Sequence, residues 1–302
     1  MTSLMPFAHT VPLPAAPEGW VDVGHVVLMD GTIATTRSTI AGKDASVRIT
    51  VFDGVAETEV LRLAGRDPAW WCLDRMADGR WLFYDPARPG QVQRVTPDGQ
   101  EDGSLHVGED FCAVQCAPDH TVWVGYYDQG IFAPEDEHGN PPVSAGGIVQ
   151  FDADGRKSWA WNDTPSPVMG VDECYAMTLA GNVLWSSFYS SFPVACVRDH
   201  KPRTWRNTID GARAIAVEGE MVVLAGGYAS EADRIAVLRL GHDSAECIGV
   251  GTFALPPPTE PLCLQGRDNI VHIITQQRWT RLSVRAAVEG VQQIEKADPI
   301  KP

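Results

Sequence analysis

Short apolar runs alternate with turn residues along this chain, and a longer period is laid over that alternation. The recurring unit is a short apolar strand, a two-residue turn and a second, more strongly apolar strand. Turn and second strand read DGTIATT from Asp30, DGRWLFY from Asp78, DHTVWVG from Asp119, GNVLWSS from Gly181, GEMVVLA from Gly219 and DNIVHII from Asp268. Val, Ile, Leu, Phe, Tyr and Trp suit a pleated, buried surface. Asp, Asn and Gly tolerate the positive φ that tight hairpin turns demand. Intervals between these turns are mostly about 40–50 residues, the length of a four-stranded propeller blade. The one longer interval contains a Gly-, Pro- and acid-rich insertion at 128–146.

A second turn follows a third strand in the same units. It appears as VRITVFDG (Val47–Gly54), QVQRVTPDG (Gln91–Gly99) and IVQFDADG (Ile148–Gly155), with weaker forms at Cys196–Pro202 and Val237–Asp243. Two turns per unit define four strands, and six such units predict an all-β chain: a six-bladed β-propeller of four-stranded blades. A β-sandwich also spaces turns closely, but it does not repeat a two-turn unit six times. The pattern predicts one domain over 1–302, with blades near 20–64, 68–108, 109–162, 170–208, 210–252 and 259–297. The last blade has two candidate fourth strands, Gly290–Glu295 and an N-terminal strand near His9–Leu13; either closes the ring.

Three segments carry a family likeness: VWVGYYDQGIF (Val122–Phe132), GGIVQFDADGR (Gly146–Arg156) and DECYAMTL (Asp172–Leu179). They resemble uncharacterised bacterial six-bladed β-propeller proteins that share the pattern of the NHL-repeat, gluconolactonase-like and virginiamycin-B-lyase-like group. The resemblance implies the scaffold over most of the chain. The gluconolactonase-like metal set of Glu, Asn and Asp has no matching positions here. The lyase-like branch implies His and Glu at a channel mouth, yet His272 is the sole histidine within the second strands. No catalytic residue is carried over, because a fold by itself does not carry a function.

Charge changes the list of partners. The formal net charge is −15 over 302 residues, without a cluster of Lys and Arg. Neutralising phosphates needs such clusters, so nucleic acid is excluded as a partner, and an anionic membrane surface is disfavoured in the same way. Seven cysteines cannot all pair within one chain, and none forms a C-x-x-C pair. A reduced, cytoplasmic setting follows. Residues 1–20 contain Pro12, Pro14 and Pro17 and no basic segment leading an apolar core, so no signal peptide is expected. No apolar run approaches the length of a membrane span.

In a propeller, the loops leading into each innermost strand and those leaving each second strand share one face. Several innermost strands begin with acids: Asp67, Glu109 with Asp110, Asp172 with Glu173, Asp210 and Glu260. The insertion adds Asp128, Glu135, Asp136, Glu137 and His138. Aromatics end the second strands: Tyr84, then Tyr126 and Tyr127, then Phe188, Tyr189 and Phe192. Carboxylates suit a divalent cation, Ca²⁺ or Mg²⁺, and Glu109, Asp172 and Glu173 are the candidate ligands. Acids beside aromatic faces also suit an amine or a sugar. Against this stands the simpler expectation that these acids cap strand starts or are solvated, and that the aromatics pack between blades. Trp81, Trp123 and Trp185 are assigned to the core. Cys72, Cys112, Cys174 and Cys263 fall on innermost strands, where cysteine serves as a small apolar residue.

Two functions fit. The preferred one is a binding or interaction module that presents an acidic, aromatic-lined channel mouth to a small ligand or protein partner. The alternative is a metal-assisted hydrolase or lyase acting on a lactone or another small carbonyl substrate, with Glu109 or Glu173 as general base.

Overall fold

The computed structural model describes residues 4–6, 8–39, 45–164 and 169–297. Strand β1 (His9–Pro12) comes first and is used last. Next follow β2 (Trp20–Val27), β3 (Ile33–Thr39), β4 (Ser46–Phe52) and β5 (Glu57–Ala64); then β6 (Trp71–Arg75), β7 (Trp81–Tyr84), β8 (Gln91–Val95) and β9 (Glu101–His106). The third set is β10 (Phe111–Cys116), β11 (Val122–Tyr126), β12 (Ile148–Phe151) and β13 (Lys157–Ala160). The remaining strands are β14 (Glu173–Ala180), β15 (Val183–Tyr189), β16 (Val194–Arg198), β17 (Lys201–Trp205), β18 (Ala214–Glu218), β19 (Met221–Ala225), β20 (Arg234–Leu240), β21 (Ala245–Thr252), β22 (Leu262–Arg267), β23 (Ile270–Thr275) and β24 (Arg278–Ser283). They form six four-stranded sheets, the blades of a β-propeller. Helices α1 (Asp128–Ile131) and α2 (Val284–Ala297) are the only α-helices among the described residues.

Local chemistry explains the turns. Between the first two strands, Asp30, Asp78 and Asp119 each accept a hydrogen bond from the backbone N–H two residues on, at 3.1 Å. This side-chain turn presets the reversal before any sheet forms. The residue after Asp takes the left-handed conformation: Gly31 and Gly79 do so without strain, and His120 does so at φ 68°. Asp53 and Asp152 repeat the device between third and fourth strands, each accepting two backbone N–H groups.

The chain divides into two compact units: Leu13–Pro165, and Met1–Pro12 with Ser166–Pro302. The first holds β2–β13. Its blades β2–β5 and β6–β9 share a core of Leu28, Val47, Ile49, Trp70, Trp81 and Phe83. The second holds β14–β24, β1 and α2. In it, Trp185 stacks on Trp205 with centroids 5.7 Å apart, within a core reaching Ile215 and Leu238.

The last blade takes its fourth strand from the N-terminus. His9, Thr10, Val11 and Pro12 pair antiparallel with Arg281, Thr280, Trp279 and Arg278. The other candidate strand, Gly290–Glu295, is instead part of α2. Val284, Ala287 and Val291 recur at helical spacing and are buried in the core that also takes Met5 and Phe253. Gly249 of β21 makes room: a Cβ there would lie 2.6 Å from Val291 Cβ. No helix of the described residues is long and apolar enough to cross a membrane.

Candidate functional site

Register fixes which predicted residues meet. Innermost strands run antiparallel to second strands, so the start of one lies beside the end of the other. Trp71 pairs with Tyr84, Phe111 with Tyr126 and Glu173 with Tyr189. Innermost strands also carry a recurrent irregularity near their starts. The pairing slips at Val23, Leu73, Cys112 and Tyr175, between the flanking paired residues. Such a bulge leaves one residue unpaired and re-aims its side chain.

In the second unit this places Tyr175 in an aromatic cluster. Its ring meets Phe192 edge-on at 5.0 Å and Tyr228 at 5.9 Å; Tyr189 approaches Phe192 at 5.8 Å. The Tyr228 hydroxyl donates to the Tyr175 hydroxyl at 2.7 Å. Phe192 is buried, whereas Tyr189 and Tyr228 are 46% and 40% exposed, so the cluster is anchored in the fold and presents phenol faces outward. The Arg213 guanidinium lies 4.8 Å from the centre of the Tyr175 ring and forms no ion pair among the described residues. Burial holds the Tyr175 phenol well above the usual tyrosine range, so it stays neutral and able to donate.

Backbone contacts fix this geometry. Gly211, at φ 64°, lies under the Tyr228 ring, where a Cβ would come within 2.6 Å of a ring carbon. Arg213 N–H donates to Ala225 O at 2.8 Å. At the far end of β14 and β18, beside the turn after β22, Asp268 N–H donates to Leu179 O at 3.0 Å and Val217 N–H to Asp268 O at 3.2 Å. Gly266 passes so close to Ile215 O that no side chain fits between them.

The first unit carries its own aromatic group at corresponding strand positions. Trp71 stacks on Tyr84 at 4.8 Å and Tyr84 meets Phe111 edge-on at 5.7 Å. Trp71 is 38% exposed. Tyr126 is instead fully buried and donates its hydroxyl to Val107 O, which makes it a packing residue. Tyr127 is exposed, with its N–H on Asp110 O.

Several predicted acids are engaged by local structure. Asp67 accepts from Ala69 N–H and Asp128 from Gln129 N–H, both at 2.8 Å. Asp210 pairs with Arg234 at 3.8 Å, and Glu231 holds the same guanidinium at 2.7 Å. Glu109 and Asp110 are exposed at the start of β10, with the Glu109 carbonyl packed on Gly130 of α1. Asp172 and Glu173 are half-buried beside Tyr189, whose carbonyl accepts the Asp172 N–H. Glu260 lies on the loop ahead of β22 and lines a separate cavity. Among the described residues no group of three or more His, Cys, Asp or Glu side chains converges as metal ligands do. Cys72, Cys112, Cys174 and Cys263 form no disulfide among the described residues; burial pushes the Cys263 thiol up to about 11, away from thiolate chemistry.

Tyr175, Arg213, Tyr228, Trp71 and Phe111 were not marked by sequence reasoning. The available signal was the pair Gly226–Gly227 ahead of Tyr228, which lets the chain leave β19 sharply; Gly227 sits against Glu231 with no room for a side chain.

No family model matches the chain, and no curated protein is significantly similar in sequence. Solved structures do match. A functionally unknown protein from Desulfotomaculum acetoxidans is 11% identical with a TM-score of 0.52, covering 86% of this chain and 84% of its own. A candidate 6-phosphogluconolactonase from Bacteroides uniformis is 13% identical with a TM-score of 0.49, covering 88% of this chain and 86% of its own. The Pan2 WD40 domain of Neurospora crassa is 9% identical with a TM-score of 0.48, covering 90% of this chain and 99% of its own. At such identities the first of these shares the fold and nothing further.

Proposed function

We propose that this propeller is a binding module, and that the cluster of Tyr175, Tyr189, Phe192 and Tyr228 with Arg213 takes a small ligand bearing a flat or ring-shaped face. The observation that carries this is the held yet exposed pair of phenols: Tyr228 is fixed by Gly211, Phe192 and Tyr175, and its face is still open. Prearranged aromatic faces bind with little ordering cost. Arg213 supplies the charge, and a guanidinium without an ion pair among the described residues suits a planar anionic group. In this reading Asp172 and Glu173 are flanking polar groups rather than metal ligands. The insertion at 128–146, with Phe132 67% exposed, is the candidate contact for a protein partner.

The test is saturation-transfer NMR on the full chain with 4-hydroxybenzoate, tryptamine and methyl glucoside as probes. The aromatic acid is expected to bind best, and Tyr228→Ala and Arg213→Ala each to abolish its signal while thermal unfolding stays two-state. Absence of binding by all three probes, or binding indifferent to Tyr228→Ala, overturns the reading.

A further inference from the structure

A cavity of about 520 Å³ opens in the second unit, apart from the aromatic cluster. It lies between the last blade, the N-terminal segment that completes it and the loop from Phe253 to Glu260. Its volume is within the range of sites that enclose small ligands. Met5, Phe253, Ile273 and Leu282 give it an apolar wall. Pro256 and Pro257 stiffen one side through their fixed φ, so little ordering is left to binding.

Two charges line this apolar space. Arg278 donates its backbone N–H to Thr275 Oγ1 at 3.2 Å, and its guanidinium has no carboxylate within ion-pair distance among the described residues. Glu260 donates its N–H to Pro257 O at 2.8 Å, and its carboxylate forms no ion pair among the described residues either. The two are opposite in sign, border one cavity and do not pair with each other. Thr10 and Thr280 at the same cavity satisfy one another at 2.9 Å, and Arg278 and Glu260 are the charged side chains that line it.

We infer that the cavity binds a short apolar peptide with both termini free, its carboxylate on Arg278, its ammonium on Glu260 and its side chains on the apolar wall. A purely anionic ligand would meet Glu260 as a like charge, and a cationic one would meet Arg278. A zwitterion answers both. Since Arg278 and Glu260 stand too far apart to pair, the ligand's charges must be separated by more than a hydrogen-bond length, which a dipeptide provides.

The experiment is isothermal titration of the full chain with leucyl-leucine, N-acetyl-leucyl-leucine and leucyl-leucine amide. Leucyl-leucine is expected to bind, with each capped form at least about tenfold weaker, the effect of losing one charge-assisted hydrogen bond. Arg278→Gln is expected to equalise the free and amidated peptides, and Glu260→Gln the free and acetylated ones. Both substitutions are at surface side chains and leave the core intact. Tyr228→Ala is expected to leave dipeptide binding unchanged. No heat with leucyl-leucine, equal affinity for all three peptides, or preferences unmoved by the two substitutions would overturn the proposal.

Discussion

The hydroxyl of Tyr228 reaches that of Tyr175 at 2.7 Å, joining the loop after β19 to the bulge in β14. One bond therefore ties an innermost strand of one blade to a second-strand loop of the next. It lies on the surface, where loops of a rigid scaffold commonly carry function. Neither partner contributes to the cores behind it. The pair spends its order on presenting a surface.

That bond is separable from the ring it holds. Tyr228→Phe removes only the hydroxyl contact, with an expected cost of about 0.5 kcal/mol in urea unfolding, the low end for an exposed hydrogen bond. Gly211→Ala acts differently. It puts a Cβ at φ 64° and within 2.6 Å of the Tyr228 ring, with an expected cost of about 1–2 kcal/mol and a changed near-ultraviolet dichroism. An unaltered aromatic spectrum in Gly211→Ala would show that the ring is not held as described.

Arg37 makes a sharper case, because its charge is inside. It is 1% exposed; Nε bonds Asp22 at 2.7 Å, Nη1 bonds Glu57 at 2.9 Å and Nη2 bonds Pro14 O at 2.8 Å. The network links β2, β3 and β5 within one blade. Arg37→Met strands two partly buried carboxylates beside each other and is expected to cost about 3–5 kcal/mol. Adding Asp22→Asn and Glu57→Gln to Arg37→Met is expected to recover much of that loss. Chemical unfolding of the single and triple variants checks this, and a triple variant no better than the single would refute the charge argument.

The blades were legible because their information is local. Asp30, Asp78 and Asp119 set their turns through bonds two residues away, and Trp81, Trp123 and Trp185 sit in apolar strands that the structure buries. The cluster was legible only in part: Tyr189 and Phe192 stood out at a strand end, whereas Tyr175, Tyr228 and Arg213 did not. Tyr175 sits within an otherwise ordinary strand, and only the slip between Cys174 and Ala176 sends its ring sideways. Tyr228 and Arg213 meet it through packing between blades, which no periodicity encodes. Of the acids, Asp67 and Asp128 accept nearby N–H groups and Asp210 pairs with Arg234, in keeping with the simpler expectation that acids at strand starts serve local structure. Gly290–Glu295 was one of two candidates for the fourth strand of the last blade, whereas the spacing of Val284, Ala287 and Val291 is helical.

The α2 contact can be measured by a double-mutant cycle. Gly249 and Val291 fit because one lacks a side chain. Gly249→Ala overpacks the contact and is expected to cost about 1–3 kcal/mol. Val291→Ala alone leaves a small void. Together they are expected to cost less than their separate costs added, with a coupling of about 0.5 kcal/mol or more. Strict additivity would mean that α2 does not rest on Gly249.

His272 should make stability depend on pH. It is fully buried in β23, its Nδ1 accepts the Trp279 indole N–H at 3.0 Å, and the two rings stack with 16° between planes. Nε2 therefore carries the hydrogen, and no hydrogen-bond partner meets it. Burial, with Arg281 and Arg267 adding to it, lowers the imidazole from 6.5 to about 3. An unfolded chain takes up this proton near 6.5, and the fold refuses it until about 3. Between those values the unfolded state holds more protons, so stability is complete above 6.5 and drains away as pH falls toward 3. The limiting slope for one group is about 1.4 kcal/mol per pH unit. His272→Gln keeps an acceptor for Trp279 and cannot titrate. Urea unfolding at a series of pH values from neutral downward should show a shallower decline in this variant than in the parent. Parallel curves would mean that other groups govern the acid sensitivity and that the imidazole is not sealed from water.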